Sequence, residues 1–258
     1  MKIALTGAAT GIGAATAAKL KALGHEVTAF DISEPAGVDR WVTVDMSDLA
    51  SISRALSQAD GPYDVLINNA GLPPRDGWAE KILNVNFIGL RAFLDGMLDK
   101  LAPDASIVST ASRAGAQWRE NIDDVRALMA LETPDQIPAF VANREMNPTR
   151  AYNLSKEAVI AMTIGRTEEM IARGFRMTCV SPAAVDTAIL DDFVTAFGDR
   201  ARQGMARAGR AGNPDEIADL IVFLASPQSA WLKGQDITID GGISAMVMAD
   251  AMGLASPG

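Results

Sequence analysis

Thr6-Gly7-Ala8-Ala9-Thr10-Gly11-Ile12-Gly13 follows directly on Lys2-Ile3-Ala4-Leu5 and runs on into Ala14-Ala15-Thr16-Ala17-Ala18-Lys19-Leu20. Residues 2–5 read as a short buried strand and the glycines as a turn. The segment from about 11 to 23, stopped by Gly24, reads as a helix. Strand, glycines, helix is the context in which a Gly-rich turn can hold a pyrophosphate. Gly7 permits the tight turn, Gly11 lets the backbone approach the phosphates, and Gly13 lets the helix sit close on the strand. The helix N-terminus adds free N–H groups and a partial positive charge. Glycines also simply make turns, and the spacing G-x-x-x-G-x-G is not the commoner dinucleotide one, so the turn needs support from elsewhere in the chain.

Outward from this turn the same alternation repeats. Short apolar, β-branched runs at 27–30, 41–44, 65–67, 107–110, 177–180 and 237–239 read as buried strands. Between them lie helical patterns with readable starts at Ser47-Asp48, Asn147-Pro148 and Asn213-Pro214-Asp215-Glu216, where a capping side chain precedes the first turn. Strands alternating with helices predict an α/β fold, a single doubly wound parallel sheet with helices on both faces, and a ligand crevice at the carboxyl ends of the strands. No linker or internal repeat interrupts 1–258, so one domain is expected. The irregular region is 113–147, an insertion broken at Pro134 and Pro138 before Pro148. It carries a helical pattern over 122–131, and Trp118, Met129, Leu131 and Phe140 favour an ordered cover over a loose loop.

Composition narrows the function. Apolar residues make up 48% of the 258 and charged residues 21%, as in an ordinary globular domain. A net charge of −9 argues against nucleic acid as a partner. One cysteine (Cys179) and one histidine (His25) exclude an intrachain disulfide and a Cys- or His-rich metal site, so no metal is expected. No apolar run approaches a membrane span and no cleavage site follows the apolar start, which predicts a cytoplasmic protein with no membrane contact.

Two further features carry chemistry. Asp31 closes the second strand, within about 20 residues of the glycines, where a carboxylate can accept hydrogen bonds from an adenosine ribose. It would repel a 2′-phosphate, so NAD is expected and NADP disfavoured; Thr10, where a basic residue could have met that phosphate, points the same way. An ordinary turn or cap residue is the alternative for Asp31. Tyr152 and Lys156 are spaced i, i+4 on one face of a helix. A free phenol titrates near pH 10, and a neighbouring ammonium, helped by a nearby nicotinamide-ribose cation, favours phenolate and lowers that value. The same spacing also arises by chance on amphipathic helices.

Together these motifs resemble the short-chain dehydrogenase/reductase (SDR) family over essentially the whole chain. The resemblance is carried by Thr6-Gly7-x-x-x-Gly11-Ile12-Gly13, Asp31, Asp45, Asn68-Asn69-Ala70-Gly71, Asn84-Val85-Asn86, Ile107-Val108-Ser109-Thr110-Ala111-Ser112 and Tyr152-x-x-x-Lys156. It implies a Rossmann fold and an NAD-dependent oxidoreductase that interconverts a secondary alcohol and a ketone, a small-molecule substrate. By that resemblance Tyr152 exchanges the proton and Ser112 holds the substrate oxygen. Lys156 binds the nicotinamide ribose and depresses Tyr152, and Asn86 anchors a relay water. Gly7, Thr10, Gly11, Ile12 and Gly13 meet the cofactor, as do Asp45 and Met46 at the adenine. Asn69, Ala70 and Gly71 line its cleft, and Val185 and Thr187 hold the carboxamide.

There are two departures. Ser181-Pro182-Ala183 stands where the family usually has Pro-Gly, and 113–147 separates Ser112 from Tyr152. The insertion, the opening turn and Asp240-Gly241-Gly242-Ile243 resemble the branch containing 3α-hydroxysteroid dehydrogenase/carbonyl reductase. A homo-oligomer is implied, a dimer rather than a tetramer if the insertion obstructs an interface.

Three alternatives stay open. Arg113, Arg119, Arg144 and Arg150 could pair with an anionic hydroxy compound or form a solvated face. The region 188–210, with Ile189, Leu190, Phe193, Val194 and Phe197, could wall the substrate pocket together with the insertion, or pack as a core helix. The chain could also be a catalytically idle NAD-binding sensor.

Overall fold

The apolar runs form seven strands: β1 (Lys2–Thr6), β2 (Glu26–Asp31), β3 (Arg40–Thr43), β4 (Tyr63–Asn68), β5 (Leu101–Thr110), β6 (Arg176–Pro182) and β7 (Gln235–Ile239). They make one sheet in the order β3-β2-β1-β4-β5-β6-β7, every neighbouring pair parallel. A computed structural model describes residues 1–254. β5 starts well before the expected 107. Its first residues include Pro103 and the left-handed Asp104 (φ 63°), which hide the strand pattern, and the ladder to β4 shifts register between Tyr63 and Val65.

Around the sheet lie α1 (Gly11–Ala22), α2 (Leu49–Gln58), α3 (Ala79–Leu83), α4 (Leu90–Met97), α5 (Ile122–Met129), α6 (Ile137–Ala142), α7 (Pro148–Gly165), α8 (Thr167–Ala172), α9 (Leu190–Ala208), α10 (Pro214–Ala225) and α11 (Ile243–Met252). The expected caps are present. Asp48 accepts from the Ala50 N–H at 2.8 Å and Asn147 from that of Arg150 at 2.8 Å, while Asn213 and Glu216 form a reciprocal capping box.

Successive strand residues face opposite sides, so each strand must be apolar on both. Ile3 and Leu5 join Val27, Val65, Leu20 of α1 and Ile221 of α10 in one core layer. Ala4 joins Phe30, Leu66, Ile107, Phe93 of α4 and Leu154 of α7 in the other. Each large side chain so buried contributes about 1.5–3 kcal/mol. The sheet's winding reverses between β1 and β4, which opens the crevice at the ends of those strands, beyond Thr6 and Asn68.

The insertion is ordered, and it covers a different place from the one expected. After a single turn at Arg113–Gly115 it forms α5 and α6, whose Val125, Leu128, Ile137 and Phe140 are buried in the α4–α7 layer. Arg91 donates to the Met129 carbonyl at 2.7 Å. Glu157 of α7, almost wholly buried, accepts from Arg150 and Asn121, both at 2.8 Å. With its apolar side turned into this layer, the insertion walls the crevice only through Arg113, Ala114, Ala116 and Gln117.

Candidate active site

A cavity of about 540 Å³ lies along the carboxyl ends of the strands. Gly7, Thr10, Gly11, Ile12, Asp31, Asp45, Met46, Asn69, Ala70 and Gly71 line one part of it, and Ser112, Tyr152, Lys156, Val185 and Thr187 the other. Gly13 and Asn86, also singled out in the sequence, stand behind its wall.

The first part is built around the turn after β1. Gly7 has φ 70° and donates its N–H to Phe30 at 3.0 Å; a Cβ there would lie 2.7 Å from the Ala70 Cα, so only glycine fits. Gly13 is packed against the Gly7 carbonyl, leaving no room for a side chain, which is the close helix–strand approach expected of it. The Thr6 hydroxyl accepts from the N–H groups of Asn69 (3.0 Å) and Ala70 (3.1 Å). The Asn69 amide donates to the Gly7 carbonyl at 3.0 Å and accepts from Thr110 at 3.1 Å. Asn69 is therefore a strut between the turn and β5 as well as part of the wall.

The Asp31 carboxylate accepts from the N–H groups of Ala9 (2.9 Å) and Ser33 (3.0 Å). It holds the turn, as the turn-residue reading has it, and it also borders the cavity. Asp45 accepts from the N–H and hydroxyl of Ser47 at 2.8 and 2.7 Å. No side chain caps α1 and no acidic residue occupies its first turn, so the N–H groups there are left to a ligand. A dinucleotide fits this end: uncapped N–H groups and helix dipole for a pyrophosphate, and a carboxylate at the end of β2 for ribose hydroxyls.

In the second part, α7 carries Tyr152 and Lys156 into the cavity from its second and third turns. Tyr152 is 6% exposed; burial pushes its phenol up to about 12, and the facing Ser112 hydroxyl offsets part of this. Burial pulls Lys156 down to about 8, with the neighbouring Cys179 acting against it. The ammonium donates to the Thr110 carbonyl at 2.8 Å and stands 5.8 Å from the Tyr152 ring centroid. The sequence leads one to expect a phenol depressed by its lysine. Burial is the leading influence on both groups, raising the phenol and lowering the ammonium.

Ser112 accepts from the Ala114 N–H at 3.1 Å, which fixes its hydroxyl at the end of β5. Asn86 lies in a π-helical turn, Asn84–Gly89, between α3 and α4. Its amide is committed to Leu72, accepting from the N–H at 2.7 Å and donating to the carbonyl at 3.0 Å. A Cβ added at Gly71 would sit 3.3 Å from Asn86 Oδ1 and 3.6 Å from Lys156 Nζ, so Asn86 backs the lysine across Gly71.

Of the two readings of 188–210, the wall is observed. α9 contains no fully buried residue, and Phe193 and Phe197 meet the Tyr152 ring edge-on at centroid distances of 5.2 and 6.3 Å. Leu190 and Val194 do not line the cavity, whereas Leu72, Asn153, Arg200 and Ile243, which the sequence reading did not single out, do. Arg200 follows the break in α9 at Gly198, so helical spacing from Phe193 and Phe197 does not by itself place it on the cavity. The four arginines of the insertion region are engaged. Arg144 and Arg150 pair with Asp124, Arg113 with Asp240, and Arg119 lies over Trp118. Among the described residues no group of three His, Cys, Asp or Glu could hold a metal, and no helix is long and apolar enough to cross a membrane.

Residues 2–122 match the family model for short chain dehydrogenases, and residues 137–244 match the model described as enoyl-(acyl carrier protein) reductase. The chain belongs to the short-chain dehydrogenase/reductase family. The stretch between the two matches falls within the insertion. The coniferyl-alcohol dehydrogenase of Pseudomonas sp. (strain HR199) is 34% identical over 94% of this SDR chain and 96% of its own. The 3-alpha-hydroxysteroid dehydrogenase/carbonyl reductase of Comamonas testosteroni is 29% identical over 95% and 97%. The crystal structure of the 3-alpha-hydroxysteroid dehydrogenase of Pseudomonas sp. B-0831, complexed with NADH, superposes with a TM-score of 0.85 at 28% identity, over 96% of this chain and 99% of that one. The chain is thus an SDR oxidoreductase acting on alcohol- or ketone-type substrates.

Proposed function

We propose that this SDR enzyme uses NAD(H) to interconvert a secondary alcohol and a ketone. The observation that carries the reading is the convergence of Ser112, Tyr152 and Lys156 on one cavity whose other end holds the uncapped α1 N-terminus and Asp31. Bound nicotinamide would supply or accept the hydride. Ser112 and Tyr152 would both contact the substrate oxygen, Ser112 stabilising the charge that develops there and Tyr152 giving or taking the proton. Lys156 would hold the nicotinamide ribose. Asn86, packed behind Lys156 across Gly71, would anchor a water that relays the proton. Val185 and Thr187 would position the carboxamide, and Asp45 and Met46 would border the adenine.

Asp31 supports NAD over NADP, because a carboxylate at the end of β2, bordering the cavity, would repel a 2′-phosphate. A second reading, an aryl-substituted alcohol, draws on the aromatic wall of Phe193 and Phe197 and on the relative named for coniferyl alcohol. The buried free Cys179 suits a reducing compartment, and the cytoplasm is the location we propose. A homodimer is proposed because the insertion occupies the outer side of α7; sedimentation velocity giving a tetramer would refute it.

The decisive experiment follows the NADH absorbance band with a panel of ketones and alcohols. Tyr152→Phe should keep NADH binding and lose roughly a hundred- to ten-thousand-fold in turnover. Undiminished turnover in that variant, or cofactor binding with no turnover on any substrate, would refute the reading.

A further inference from the structure

The charged side chains lining the cavity are Asp31, Asp45, Lys81, Lys156, Arg113 and Arg200. The carboxylates belong to the nucleotide end. The two arginines gather elsewhere. Arg113 directly follows Ser112, and Arg200, past the break in α9 at Gly198, lines the same cavity as Phe193 and Phe197, which meet Tyr152 edge-on. α9 meets α11 there: a Cβ on Gly204 would touch the Ile243 side chain at 3.5 Å, and Ile243 itself lines the cavity. Arg113 is held by Ser244 at 3.1 Å and by Asp240, at the start of α11, at 3.4 Å. Arg113 and Arg200 line the same cavity, and burial first, then the charge of Arg200, hold the Arg113 guanidinium below its ordinary value.

Arg200 stands out among its neighbours. Arg202, Arg207 and Arg210 pair with Asp199, Asp250 and Glu216. Arg200 has no carboxylate partner and no hydrogen bond among the described residues, in a chain with 32 acidic side chains and a net charge of −9. Arg113 is already balanced by Asp240, so Arg200, exposed where it lines the cavity, is the guanidinium of the two that can take a further anion, and a guanidinium matches a carboxylate with two parallel hydrogen bonds.

We propose that Arg200, backed by Arg113, forms a subsite for an anionic group on the substrate. Preferred substrates then have an apolar body along Phe193, Phe197 and Met205 and a carboxylate remote from the reacting carbon. The inference rests on the alcohol–carbonyl reading of the same cavity and adds the class of substrate. Arg200 is a specificity-determining residue in it and takes no part in proton transfer.

The test uses 4-acetylbenzoate and its methyl ester, matched ketones that differ in charge. Calorimetric titration into the protein alone and into its NADH complex gives binding, and the NADH band gives kcat/KM for reduction. The acid should be preferred roughly tenfold, the effect of one charge-assisted hydrogen bond. Arg200→Gln should bring the acid-to-ester ratio close to one, and Arg200→Lys should keep part of the preference. Equal affinity for acid and ester, no binding of either, or a preference that survives Arg200→Gln would each overturn the subsite. Equal reduction of both ketones leaves the alcohol–carbonyl reading standing without the subsite. A binding preference without reduction of either ketone leaves the subsite standing without that reading.

Discussion

Lys156 is a cation in a place that resists cations. Its folded value near 8 lies below the ordinary lysine value of 10.5, and burial is the main cause. Below about pH 8 the ammonium is protonated in both the folded and unfolded chain, and folding bears the full cost of burying it. As pH rises from about 8 to 10.5 the unfolded chain holds the extra proton and stability recovers. Tyr152 acts in the opposite sense: its raised value, about 12, gives stability that is complete below 10 and is lost between 10 and 12. Lys156→Met should therefore raise the melting temperature of the ligand-free protein at pH 7, by roughly 2–4 °C for each kcal/mol gained, with a smaller gain at pH 10. Scanning calorimetry at both pH values checks this, and a variant less stable than the parent at pH 7 would contradict it.

At the level of elements, α9 is where the chain departs from regular structure. Gly198 interrupts it with φ 54° and ψ −132°, a conformation open to glycine, and no atom lies within 4 Å of where its Cβ would be. The break is one of backbone and not of space. Gly198→Ala should cost about 1–3 kcal/mol locally, loosen the aromatic wall against Tyr152 and change KM and kcat together. Faster proteolytic cleavage within α9 at unchanged global stability is the expected signature; cleavage and kinetics equal to the parent's would exclude a positioning role for the break.

The sequence exposed the strands, the capped helix starts and the glycine turn because each depends on neighbours a few residues apart. It left α9 open between wall and core, since one apolar stripe serves either purpose and only the position of Tyr152 decides. It misdirected the insertion for the same reason. Val125, Leu128, Ile137 and Phe140 announce burial, but not that the buried face meets α4 and α7. For the phenol, Tyr152 and Lys156 four residues apart announce proximity but not burial, and burial is what raises it.

Across the whole molecule, the cavity is bordered by both halves of the sheet: β1, β2 and their turns on one side, β5, β6 and α7 on the other. A ligand that fills it ties the halves together and binds the folded state alone. The stabilisation then follows mass action, about 2.7 kcal/mol at a hundredfold excess over Kd, or roughly 5–10 °C in melting temperature for a domain of this size. NADH should produce a shift of that order. NADPH at the same concentration should produce much less, because its 2′-phosphate meets the Asp31 carboxylate, and Asp31→Asn should narrow the difference while weakening the turn that Asp31 holds through Ala9 and Ser33. Equal shifts from both cofactors in the parent protein would remove Asp31 as the discriminator. No shift from either would leave the glycine turn as a turn alone.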